Sequence, residues 1–160
     1  MRLSILDLTV AVVVSALLLT ALTHCGEDDV PSIPTVVADR SLTPGALNPD
    51  VTQATIRSTI CVHGWTRTIR PPSSYTSALK VDQMAATGLT GSPSDYQEDH
   101  LISLELGGHA TDPRNLWPQP YPRAAEVDQI ENELNAEVCS GSRTLADAQQ
   151  KEADLKHNQG

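Results

Sequence analysis

An aspartate and a histidine stand side by side in Glu98-Asp99-His100-Leu101-Ile102-Ser103-Leu104-Glu105-Leu106-Gly107-Gly108, and Asp112-Pro113-Arg114-Asn115-Leu116-Trp117 follows closely. An imidazole with an ordinary pKa near ~6.5 can accept a proton from water at neutral pH. A carboxylate beside it can hold a divalent cation, and an asparagine beyond a glycine turn can fix the loop between them. Together these residues make a set suited to one-metal hydrolysis. An Asp-His pair alone is a weak signal, and the glycine turn and the Asn-Leu-Trp return give it weight.

The elements that position these residues are read from pattern. Asp99 to Leu106 alternates as a strand, Gly107-Gly108 breaks it, and Asn115-Leu116-Trp117 returns as a second strand ending at Pro118. Ala124 to Val138 carries Val127, Ile130, Leu134 and Val138 at helical spacing, Gly141 stops it, and a last helix runs from Leu145 to about Lys156. Upstream, Val51 to Cys61 reads as a short helix and Trp65 to Arg70 as a strand that halts at Pro71-Pro72. Ser73 or Ser74 is placed to cap a helix reaching about Ala86.

Composition limits what can house this site. The chain has 160 residues, no Phe and 3% aromatics, so one small aliphatic core is expected, of the kind that gains from a covalent staple. A net charge of −9 excludes a generally basic nucleic-acid coat protein. Between Val51 and Tyr96, however, Arg57, Arg67, Arg70 and Lys80 face only Asp82 and Asp95, leaving a local basic region.

Behind Arg2, Leu8 to Thr23 has no charged residue and falls short of the ~20 residues that span a bilayer, which favours an export signal. Leu22-Thr23-His24-Cys25 is close to a lipoprotein box with His24 where a small residue is expected, so a cleaved secreted form, a lipidated form and an uncleaved anchor all stay open. Residues 1–25 are therefore expected to be a signal peptide or membrane anchor, 26–49 a flexible proline-rich linker and 50–160 the folded domain. Cys61 and Cys139 then remain as a pair with no Cys-x-x-Cys for structural zinc, and a disulfide is favoured over two separate thiols.

Strand, loop, strand and helix, with Asp-His on the first strand, is the order of a ββα-metal element, and the chain here resembles the HNH endonuclease family. Asp99-His100-Leu101, Leu104-x-Leu106-Gly107-Gly108 and Asp112 to Gln119 carry the resemblance. A longer likeness, from Leu47-Asn48-Pro49-Asp50 through Cys61, Trp65, Arg67 and Pro71-Pro72 to Glu131-Asn132-x-Leu134 and Cys139, is to small exported actinobacterial HNH-like proteins. It implies an α+β domain with flanking helices, His100 as general base, Asp99 as ligand to Mg²⁺, Mn²⁺ or Zn²⁺, Asn115 as the group orienting His100, and Arg114 on a phosphate oxygen. Many relatives place another His or Asn ligand near the helix start; this chain has neither between Leu116 and Gln129, and Glu126, Asp128 and Glu131 are the carboxylates in reach, with Asp128 and Glu131 on neighbouring turns.

Each residue also has a plainer role. Asn115 suits a turn, Glu105 a solvated strand face, His63 and His109 loops, and the glutamates of the 126–137 helix a solvated surface. Arg67 and Arg70 either steer nucleic acid or protect a strand edge. Two functions follow. One is an exported or membrane-tethered metal-dependent nuclease acting on nucleic acid, DNA foremost, with no protein partner predicted; the other is a non-catalytic exported binding or envelope module on the same scaffold.

Overall fold

A computed structural model of the chain describes residues 35–160. The expected signal peptide or anchor at 1–25 lies outside the described residues. Among the described residues, no helix is long and apolar enough to cross a membrane.

The described residues form four helices and one two-stranded antiparallel hairpin, an α+β arrangement: α1 (Trp65–Ile69), α2 (Ser73–Thr87), β1 (Tyr96–His100), β2 (Leu116–Pro120), α3 (Arg123–Ser140) and α4 (Leu145–Gln159). In the hairpin Gln97 pairs with Gln119, Asp99 with Trp117 and His100 with Leu116. A two-stranded sheet leaves each strand one free edge, so β2 tolerates Pro118 and Pro120, which have no N–H to give. The hairpin is entered through a tight turn at Pro93–Asp95, where the Ser92 hydroxyl accepts from the Ser94 N–H and the Asp95 carboxylate accepts from the Ser92 N–H at 2.8 Å.

The first strand starts earlier and ends sooner than its expected span of Asp99 to Leu106. Leu101, Ile102, Leu104 and Leu106 are all buried, whereas a half-exposed strand would bury alternate residues. After His100 the chain leaves the sheet and turns at Leu104–Leu106, which lets consecutive apolar side chains reach different parts of the core. Ile102 and Leu106 join Val51, Ile56, Leu134 and Val138, and Leu101 packs with Ala38 and Trp117. The exit requires two glycines. Gly107 has φ +80°, and a Cβ there would overlap Val51; a Cβ on Gly108 would overlap the Ile102 carbonyl.

Two upstream expectations are corrected. Trp65–Ile69 is a helical turn and not a strand, and the expected helix over Val51–Cys61 is a series of turns around the short Ile56–Ser58 element. Hydroxyl side chains there compete with the helix ladder: Thr55 Oγ1 donates to the Asp50 carbonyl at 2.8 Å, and Ser58 and Thr59 both donate to the Thr55 carbonyl. The helices from α2 onward lie within a few residues of their expected spans, although α2 begins after Pro72 with no serine side-chain cap and α4 continues past Lys156 to Gln159. The part of the expected 26–49 linker that is described, residues 35–49, lies along the domain. Ala38 N–H donates to the Lys156 carbonyl, Gly45 N–H to Arg114 and Asn48 N–H to Gly107, and Leu47 forms a β-bridge with Gly108.

Cys61 and Cys139 are joined in a disulfide with Cα atoms 5.5 Å apart and a separation of 78 positions in sequence. It ties the segment before α1 to the C-terminal end of α3. The chain-entropy model gives a loop of that length a stabilisation on the order of 4 kcal/mol. Replacing both cysteines by serine is expected to lower unfolding stability by about 2–5 kcal/mol in urea titrations, and an unchanged midpoint would contradict the staple role.

Candidate active site

Adjacent side chains on a strand leave it on opposite faces, so Asp99 and His100 begin with different surroundings. Asp99 turns toward α3 and α4. Its Oδ2 accepts from Lys156 Nζ at 2.7 Å, and Gln97 Nε2 lies 3.4 Å from its Oδ1 and 3.2 Å from Asp128 Oδ1. Asp128 and Glu131 stand three apart on α3, which puts both carboxyl groups over one stretch of the hairpin. Asp99, Asp128 and Glu131 each offer an oxygen within 4.8 Å of the others, so the three expected metal ligands form one group able to hold an ion.

The cation already in contact with this group is a side chain. Lys156, fully buried on α4, donates to Asp99 Oδ2, to Glu131 Oε1 at 2.6 Å and to the His100 carbonyl at 2.5 Å, and Glu152 Oε1 lies 3.2 Å away. Burial opposes the ammonium charge, but Asp99, Glu152 and Glu131 outweigh it and hold Lys156 protonated well above the usual lysine range. Burial pushes the Glu131 and Glu152 carboxyls up despite the lysine. Glu152 also anchors the strand exit, because its Oε1 accepts from the Ser103 N–H at 2.9 Å.

His100 points its ring at the loop between the strands. Nε2 lies 3.0 Å from the Ala110 carbonyl, an oxygen that can only accept, so the proton is assigned to Nε2 and the lone pair to Nδ1. Burial holds the imidazole below its ordinary pKa, and the positive charges of Lys156 and Arg70 push the same way, against the Ala110 hydrogen bond and the carboxylate of Asp99. At neutral pH the ring is therefore neutral with Nδ1 able to take a proton.

Asn115 is fully buried and reaches the backbone of the loop, not the imidazole. Its Nδ2 donates to the carbonyls of Ile102 and His109, and its Oδ1 accepts from the Ile102 N–H at 2.9 Å. It thus fixes the segment next to Ala110 and the backbone just after His100, positioning the ring through both. His109 is a turn residue whose Nδ1 accepts from the Thr111 and Asp112 N–H groups.

The expected phosphate-binding arginines separate. Arg70, just after α1, is near enough for its charge to act on both His100 and Glu105. Arg67 instead packs its guanidinium over Gly64. Arg114 is clamped by Asp112, with Nη2 to Oδ2 at 2.5 Å and Nε to Oδ1 at 3.0 Å. Glu105 is half-buried and borders a shallow cleft beside the disulfide, lined also by His63 and Asn135. Burial raises its carboxyl pKa.

Lys156, Glu152 and Gln97 belong to the site although the sequence does not single them out. Leu145, Ala148, Glu152 and Lys156 share one helical face, and a charged pair on an otherwise apolar stripe is the signal that would have found two of them. Comparison of the chain with protein-family models, with curated proteins and with solved structures finds no match.

The side-chain hydrogen bonds from Arg114 hold the Asp112 carboxyl down at about 2. A folded-state pKa below the unfolded value means that the contribution of this pair is present above pH ~3.9 and is lost as pH falls through about 2. Carboxyl NMR titration is expected to show Asp112 ionised until about pH 2 and a return toward the ordinary value in Arg114→Ala. An ordinary midpoint in the unaltered chain would mean that Arg114 is free.

Proposed function

We propose that the chain is an exported, HNH-like, metal-dependent endonuclease that hydrolyses phosphodiester bonds in nucleic acid, DNA foremost. The observation that carries this reading is the convergence of Asp99, Asp128 and Glu131 within 4.8 Å at a hairpin-to-helix junction whose next strand residue is a neutral, backbone-anchored histidine. An all-carboxylate set of hard oxygen donors suits Mg²⁺ or Mn²⁺ better than zinc, which prefers nitrogen and sulfur. The residues therefore fit a divalent ion.

The proposed roles are these. His100 Nδ1 takes the proton of the attacking water while Nε2–H stays on Ala110. The acidic group of Asp99, Asp128 and Glu131 is where an ion would be held, and when bound it would offset charge on the phosphate and the departing oxygen. Arg70, exposed just after α1 and near enough for its charge to act on His100, supplies a positive charge for a backbone phosphate. So small a domain has few groups with which to read bases, so little sequence preference is expected. A disulfide is compatible with an extracellular protein and supports the export part of the reading.

One observation favours the second reading, a non-catalytic exported binding or envelope protein on the same scaffold: the Lys156 ammonium already neutralises part of the charge that would recruit a metal. Plasmid nicking separates the two. With Mg²⁺ or Mn²⁺ the unaltered chain is expected to nick, with activity abolished by chelator and lowered about 10²-fold or more in His100→Ala. Absence of cleavage with every divalent ion would overturn the nuclease reading.

A further inference from the structure

We propose that Lys156 is a positioning residue that divides the acidic group, leaving Asp99 Oδ1 and Asp128 for a divalent ion and keeping Glu131 out of the coordination sphere. The inference rests on the metal-dependent reading above and adds which ligands that reading uses. An ammonium has three hydrogens, and Lys156 has three close acceptors: Asp99 Oδ2 at 2.7 Å, Glu131 Oε1 at 2.6 Å and the His100 carbonyl at 2.5 Å. Its donors are used and its side chain is fully buried, so it touches neither water nor substrate.

The consequence lies in what it leaves free. Lys156 takes one oxygen of Asp99, and the other faces Gln97 Nε2, which bridges it to Asp128 Oδ1 at 3.4 and 3.2 Å. Gln97 is a replaceable donor. Its amide belongs to a half-buried residue, and its Oε1 is held by the Tyr121 hydroxyl at 3.0 Å. An ion entering between Asp99 Oδ1 and Asp128 displaces one weak amide contact, whereas one entering between Asp99 and Glu131 must expel a buried ammonium. The same lysine grips the His100 carbonyl, so the strand position that carries the histidine and the carboxylate that holds the ion are set by one group on α4.

Mn²⁺ binding, measured by calorimetry on the full chain, tests this without reference to cleavage. Asp128→Asn is expected to weaken Mn²⁺ binding about tenfold or more and Glu131→Gln less than about twofold, because glutamine still accepts from Lys156. In a Lys156→Met background, Glu131→Gln is expected to cost about tenfold, since the released carboxylate then joins the ion. An Asp128→Asn effect no larger than that of Glu131→Gln in the unaltered chain overturns the division while leaving metal binding intact, as does a Glu131→Gln cost below twofold in a folded Lys156→Met background. If circular dichroism shows that Lys156→Met does not fold, the comparison of the two carboxylate variants in the unaltered chain decides. Failure of the unaltered chain to take up Mn²⁺ overturns the metal-dependent reading itself, and the division with it.

Discussion

The interaction on which the structure turns is the burial of one ammonium among carboxylates from three elements. Lys156 on α4 meets Asp99 on β1 and Glu131 on α3, with Glu152 one turn back on its own helix. Removing one partner from a buried charge set typically costs about 3–5 kcal/mol, because the others are left uncompensated in a low-dielectric interior. That penalty fixes the last helix relative to the hairpin more tightly than its alanine-rich stripe could. It also ties the fold to the candidate site, since Asp99 and Glu131 belong to the acidic group and the lysine's remaining bond goes to the backbone of His100.

A second constraint acts from the other side of the hairpin. Asn115 satisfies the backbone of the loop with its side-chain amide while its own carbonyl accepts the Leu101 N–H. The loop then presents the Ala110 carbonyl to His100, and that single acceptor selects the tautomer with Nδ1 free. The lysine and the asparagine together hold the Asp-His pair from both faces of a strand only five residues long. The segment from residue 35 adds its backbone to α4 and to the glycine turn, so the site is braced by chain that composition alone marks as linker.

Much of this was legible in the letters, for identifiable reasons. The helical periodicity around Val127, Leu134 and Val138 and the stop at Gly141 located α3, and the resemblance to a ββα-metal element singled out Asp128 and Glu131 on it, which lie beside Asp99. Cysteine parity located the disulfide. The first strand was displaced because Leu101 to Leu106 mimics alternation, while the chain in fact distributes those residues between two apolar clusters through a turn. Trp65 to Ile69 alternates like a strand but has no strand beside it among the described residues, and a lone strand leaves its backbone groups unpaired. Lys156 was invisible because lysine is among the residues least often fully buried, and only the tertiary arrangement of acids shows why this one is.

The account stands on an ion, a histidine and two carboxylates sharing one reaction space although Asp99 and His100 leave their strand on different faces. Crystals soaked in Mn²⁺ and measured at the manganese absorption edge examine that directly. The account predicts an anomalous peak bonded to Asp99 Oδ1 and Asp128, with His100 Nδ1 facing the same solvent-accessible space. No peak at that position, or a peak there with the imidazole walled off on the far side of the hairpin, would contradict it.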